Sequence, residues 1–300
     1  MDRKPLDSPA VMLMLLLTLL WGLQQVAIKL ALPGVSPAAQ AAIRSLAAAL
    51  LLLAWARWRG IPLFNRDGTF TAGVVAGLLF GAEFFFIYFG LNRTTASRLV
   101  VFLYLAPILT ALGLAWRVPG ERLSGRQWAG VLLAFGGLAL AFADGLRTPA
   151  LRNTLAGDVC GVVAATLWAA TTVLIRATRL ASVPAEKTLF YQLAVSVPVL
   201  VGASLALGEP GVVRVDATIV ASLVFQSVVV AFASYLAWFW LLTRYLAARL
   251  AVFSFLTPMF GVLFGMGFLG ESLSTQFVLA ALLVGAGIAL VNLRRPASKG

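Results

Sequence analysis

The sequence predicts an all-α membrane protein: ten transmembrane helices arranged as two inverted five-helix repeats. Three observations lead there: the composition, a series of ten long apolar runs, and an internal repeat. Of 300 residues, 61% are hydrophobic and 11% are charged. A soluble domain carries about 25% charged residues, so a mean hydropathy of +0.96 excludes a water-soluble enzyme, a disordered chain and a disulfide scaffold. The apolar runs are continuous rather than alternating, which excludes a β-barrel.

A spanning helix needs about 20 apolar residues. Runs of that kind lie near 10–31, 38–56, 69–91, 97–116, 127–144, 155–176, 187–207, 217–242, 247–269 and 275–293. Short breaker segments separate them: Leu32-Pro33-Gly34, Asn65-Arg66-Asp67-Gly68, Val118-Pro119-Gly120 and Gly208-Glu209-Pro210-Gly211. Arg3 and Lys4 before an apolar stretch resemble a signal peptide, but the many spans that follow make this an uncleaved first helix. The basic residues then orient the chain. Sixteen of the 23 fall on the side of the N-terminus, six on the other (Lys29, Arg93, Arg98, Arg147, Arg152, Arg214), and Arg44 lies inside a span. Both termini are therefore expected in the cytoplasm. The net charge of +12 serves this orientation, and no nucleic-acid partner is expected.

The second half repeats the first at an offset near 150 residues. Trp21 and Lys29 correspond to Trp168 and Arg176, Pro37-Ala38 to Pro184-Ala185, and Arg93, Arg98 and Leu99 to Arg244, Arg249 and Leu250. Pro107 corresponds to Pro258, Gly120-Glu121-Arg122-Leu123-Ser124 to Gly270-Glu271-Ser272-Leu273-Ser274, and Gly137-Leu138-Ala139-Leu140 to Gly287-Ile288-Ala289-Leu290. The division expected is 1–148 and 149–300. Five is odd, so the second copy enters the membrane upside down. Inverted halves can exchange conformations about an in-plane axis, which is how many secondary transporters expose one mid-membrane site to either side in turn.

These features together resemble the drug/metabolite transporter superfamily, EamA-type branch, and within it the YddG-type exporters of aromatic and other neutral amino acids. The resemblance covers essentially the whole chain. It implies efflux through a central cavity lined by the first, third, fourth, sixth, eighth and ninth helices, with the fifth and tenth at the periphery.

Polar groups in hydrocarbon are costly unless they face a cavity or a partner. Glu83 is the acid deep inside a span, on one face with Phe80, Phe84 and Ile87. Arg44 is the basic counterpart. They either touch the two ends of a zwitterion or neutralise one another, or Glu83 bonds a neighbouring helix, and Glu83 is the one candidate proton carrier. Their repeat positions hold Ser234 and Tyr191, so the charges are not duplicated. Trp21 shares a face with Gln25 on the first helix, and Trp168 with Thr172 on the sixth. Indoles and amides suit a neutral solute, although Gln and Thr also bind helices to each other. Ser234, Tyr235 and Trp238 share a side of the eighth helix, with Phe239 and Trp240 expected toward lipid or the interface belt. Tyr88, Tyr104 and Gln226 are further candidates. Pro107 and Pro258 bend their spans, as a gate or as a static kink. Gly73, Gly77 and Gly81 read as packing positions, Lys29 and Arg176 as snorkelling ends, and Glu121 and Glu271 as helix caps.

With no histidine and one cysteine, Cys160, the usual catalytic bases, thiols and metal ligands are lacking. No catalytic residue, cofactor or metal is expected. No phosphate loop and no carbonyl filter is visible. The expected function is a secondary transporter or facilitator exporting small neutral or zwitterionic solutes, above all aromatic and other neutral amino acids. The alternative is a broader proton-coupled exporter of neutral metabolites or drugs. Partners are the solute and the bilayer of a bacterial inner membrane, with the chain a monomer or weak dimer.

Overall fold

The computed structural model describes residues 6–118, 120–147, 154–269 and 275–293. The helices are α1 (Ser8–Ala31), α2 (Pro37–Arg59), α3 (Phe70–Leu91), α4 (Ala96–Arg117), α5 (Gly125–Ala141), α6 (Thr154–Ala177), α7 (Ala185–Ala206), α8 (Ala217–Arg244), α9 (Ala247–Phe268) and α10 (Thr275–Asn292). Among the described residues nine of these are at least 18 residues long and apolar enough to cross a membrane. α5, at 17 residues, falls just short. The protein is a multi-pass helical membrane protein, and the ten apolar runs coincide with its ten helices to within a few residues.

Local chemistry sets the ends. Asp7 accepts from Ala10 N–H and caps α1, and Asp216 caps α8 through Ile219 N–H. α2 ends at Gly60 in the left-handed conformation (φ 67°), a region glycine enters without steric penalty. Ser124 and Gln127 form a reciprocal capping box on α5. Trp58, Trp116 and Trp240 sit in the last turns of α2, α4 and α8. Beside them are Arg59, Arg117 and Arg244, whose guanidinium carbons lie 6.0, 4.5 and 4.3 Å from the ring centres. All three pairs mark one end of the bundle, as an aromatic-basic belt at a membrane interface does.

The packing is unchanged when the first five helices are exchanged for the last five. α1 packs on α9 as α6 packs on α4, α1 on α8 as α6 on α3, and α2 on α8 as α7 on α3; α2 with α7 and α5 with α10 are their own counterparts. The α5–α10 pair shows the inversion directly. A Cβ on Gly130 would meet Val291, and one on Gly137 would meet Leu283 and Val284, so these equivalent helices run antiparallel. Small residues let the backbones approach closely. Gly73, Gly77 and Gly81 likewise receive Tyr191, Val195 and Val199 in order, so α3 and α7 run parallel.

Both proline spans are broken. α4 divides into Ala96–Leu103 and Ala106–Arg117. α9 passes from Ala247–Ala251 through a tight 3₁₀ turn, Val252–Phe255, into Leu256–Leu269. A proline ring displaces the carbonyl four residues back. Those positions are Leu103 and Ser254, and the breaks fall there. α8 contains an unusual π-helical stretch, Phe225–Ser234, which the sequence did not announce.

Three expectations are corrected. Arg176 does not snorkel: it is buried, donates to Leu242 O at 2.7 Å and pairs with Glu121. Glu121 caps α9 rather than the helix that follows it in sequence, accepting from Ala247 N–H and Ala248 N–H at 3.3 Å. Phe239 is buried rather than facing lipid, because α7 packs against that side of the last segment of α8. Glu271 lies outside the described residues.

Candidate functional site

The predicted residues fall into two clusters at the junction of the repeats, with two exceptions. In the first, α1 meets α8. Trp21 Nε1–H donates to Ser234 Oγ at 2.9 Å, and Ser234 Oγ–H donates to Val230 O at 2.6 Å. The Trp21 ring stands edge-on to Tyr235 (6.3 Å) and Trp238 (5.8 Å). Tyr235 touches Phe80 of α3 at 6.4 Å, Phe80 touches Phe84 at 5.1 Å, and Phe84 touches Tyr88 at 6.0 Å. Trp21, Phe80, Phe84, Tyr88, Tyr235 and Trp238 are half-buried, so this aromatic surface is packed yet not sealed.

Two charges flank it. Arg44 of α2 is 2% exposed, and its Cζ lies 4.8 Å from the Phe84 ring centre. Glu83 of α3 is 8% exposed. No ion pair joins them among the described residues, so direct neutralisation is not what holds them.

In the second cluster Tyr104, at the break in α4, packs edge-on to Trp168 of α6 (5.8 Å) and beside Phe255 of α9 (6.2 Å). Tyr104 and Phe255 occupy equivalent positions in the two halves. A residue that touches its own repeat partner lies near the pseudo-two-fold axis, so the two helix breaks meet there. Pro107 and Pro258, both buried, stand just beyond the breaks. Thr172 is buried one turn from Trp168 and donates to its carbonyl at 3.3 Å.

Tyr191 is the first exception and Gln25 the second. Tyr191 fills the α3–α7 seam against Gly73, with Phe70 6.4 Å away and Lys187 Nζ 5.9 Å from its ring. Gln25 is exposed beside Gly261 of α9, whereas its neighbour Gln24 is the buried amide. A surface groove of about 820 Å³ opens between the start of α3 and the end of α6, lined by Gly68, Thr71, Val75, Leu174, Thr178 and Arg179. None of the predicted site residues lines it.

Sequence reasoning missed the polar clasps between the halves. Glu121, Arg176 and the start of α9 form one. In a second, Arg98 grips Asp158 with Nε (3.1 Å) and Nη2 (2.5 Å) while Thr94 donates to the same carboxylate at 2.9 Å. Tyr245 Oη–H donates to Asp7 at 2.8 Å, and Thr94 and Tyr245 stand at the equivalent place before α4 and α9. Glu209 accepts from Ala38 N–H and Ala39 N–H at the start of α2, and Gln226 donates to Gln40 Oε1 at 3.1 Å. The available signal was opposite charges at helix ends on one predicted membrane side: Glu121 with Arg176, and Asp158 with Arg98.

The model of the EamA-like transporter family matches residues 8–143 and again 155–293, one match in each half. The chain belongs to the EamA-like transporter family. It is a membrane transporter of small molecules, not an enzyme. An uncharacterized transporter of Archaeoglobus fulgidus is 26% identical, over 97% of this chain and 99% of that one. A probable amino-acid metabolite efflux pump of Escherichia coli is 27% identical over 92% of each. A chloroplastic WAT1-related protein of Arabidopsis thaliana is 29% identical, over 91% of this EamA-like chain and 66% of its own length. A solved crystal structure superposes with a TM-score of 0.79 at 22% identity, over 95% of this chain and 96% of that one, which shows the fold alone.

Proposed function

We propose that this transporter exports small neutral or zwitterionic solutes from the cytoplasm, aromatic and other neutral amino acids first among them. The observation that carries the reading is the half-buried aromatic surface of Trp21, Phe80, Phe84, Tyr235 and Trp238 where the repeats meet. Such a surface offers area and π-faces to an uncharged side chain, with few polar groups to leave unmatched. The halves 1–148 and 149–300 are taken to rock about the axis near Tyr104 and Phe255, with the breaks at Pro107 and Pro258 as hinges. Both termini are placed in the cytoplasm of a bacterium whose inner membrane holds the protein as a monomer or weak dimer. The efflux-pump relative supports the amino-acid reading.

A second reading, a proton-coupled exporter of neutral metabolites or drugs, is favoured by one feature: Glu83, an acid within a span that has no ion-pair partner among the described residues. A lone acid without a histidine is a thin relay, so facilitated efflux is preferred. Uptake of labelled amino acids into liposomes containing the purified protein decides the main reading. If none moves faster than into empty liposomes, amino-acid export is wrong.

A further inference from the structure

Arg44 begins about 10 Å below the end of the bundle at which α2 starts, and Glu83 lies about 12 Å below the same end, where α3 finishes, at 1.5 Å per residue. Their depths match, yet they are not bonded. Arg44 carries a further asymmetry. Its Nε and Nη2 are buried and have no hydrogen-bond partner. These two nitrogens form one edge of the planar guanidinium, the edge that presents two parallel N–H bonds to a carboxylate. The protein uses that edge elsewhere: Arg98 holds both oxygens of Asp158 with its Nε and Nη2. In Arg44 the same edge is left for something other than protein, while the Phe84 ring supports the guanidinium. A buried guanidinium with unmade hydrogen bonds is expensive in a membrane interior, and a ligand carboxylate removes that cost.

We propose that Arg44 is the specificity-determining anchor for a substrate carboxylate, with Glu83 opposite it for the ammonium group. The inference rests on the export reading and narrows it. The solutes carried must bear a free carboxylate, and an uncharged body lies along Phe84, Phe80 and Tyr235. Neutral compounds without a carboxylate are poor substrates. The Glu83 carboxylate disfavours a second anionic group on the ligand, so dicarboxylates are rejected.

The test is counterflow of labelled L-phenylalanine in liposomes containing the full chain, competed by unlabelled L-phenylalanine or L-phenylalaninamide. Phenylalanine is expected to compete about tenfold or more better than its amide, the ratio typical of losing a hydrogen bond to a charged group. Arg44→Gln is expected to erase that preference by weakening phenylalanine alone, and Arg44→Lys to keep part of it. Equal competition by acid and amide in the unaltered protein overturns the anchor and leaves export standing. So does an Arg44→Gln protein that weakens both ligands equally, which marks a packing role. Failure of phenylalanine and of every other labelled neutral amino acid to move overturns both readings.

Discussion

Trp21 of the first repeat is hydrogen-bonded to Ser234 of the second, Nε1 to Oγ at 2.9 Å, and the Ser234 hydroxyl donates in turn to Val230 O within the π-helical stretch of α8. The indole is thus held by a hydroxyl whose orientation is already fixed, and the ring becomes a rigid wall shared by both halves. Removing one partner leaves the other unmatched at a cost of about 1–3 kcal/mol. Trp21→Phe keeps an aromatic ring but loses this bond and the second ring of the indole. Its expected outcome is a fall of several-fold in phenylalanine counterflow, with the helix content by circular dichroism unchanged.

The Glu121–Arg176 clasp joins the halves from inside. Neutralising one partner strands the other charge, which costs about 3–5 kcal/mol in buried pairs. Glu121→Gln and Arg176→Met are each expected to melt well below the unaltered protein in detergent. Replacing both, Glu121→Leu with Arg176→Met, should recover much of the loss, because no unpaired charge then remains. A double variant no more stable than either single one would mean that the bonds from Glu121 to Ala247 and Ala248 carry the stability instead.

Pro107→Ala and Pro258→Ala each return a backbone N–H to a broken helix. A straightened α4 or α9 relieves the helix defect while stiffening the crossing near Tyr104 and Phe255. Slower counterflow at unchanged or raised melting temperature is the expected result. Equal rates in both variants would reduce the breaks to static kinks.

Lys187 is buried and its Nζ lies 2.8 Å from Asp67 in the α2–α3 loop. This ammonium, together with the Thr69 hydroxyl at 2.5 Å, holds the Asp67 carboxyl well below the usual carboxylate range. A depressed folded value gives stability that is fully present above the unfolded value of about 4 and is lost as pH falls below it. Asp67→Asn should therefore lower the melting temperature at neutral pH, and its deficit should shrink as pH is taken from about 5 toward 3. A deficit independent of pH would assign the effect to loop packing.

Cys160 is the one cysteine in the chain, so Cys160→Ala yields a cysteine-free background. In it, cysteine placed at Gly60 should react with an impermeant maleimide only from the cytoplasmic face, and one at Gly208 only from the outside. The opposite pattern would invert the proposed orientation.

The number of helices, their approximate ends, the duplication and the kinked spans were all legible in the sequence. Each rests on local chemistry or on a count: run length against bilayer thickness, caps, proline geometry, repeat spacing. Trp21 and Trp168 were legible as repeat-equivalent positions from the spacing of the duplication alone. What only the tertiary structure decided is which partner each polar group meets. Periodicity gives a helix face but not its neighbour, so Arg176 read as a snorkelling end until Glu121, 55 positions away, met it from the other repeat. Tyr191 shares a repeat position with Arg44 yet fills a glycine seam, because Gly73 on α3 leaves room for a ring there. Phe239 turns inward because α7 covers that side of the last segment of α8, a contact that periodicity within α8 alone does not show.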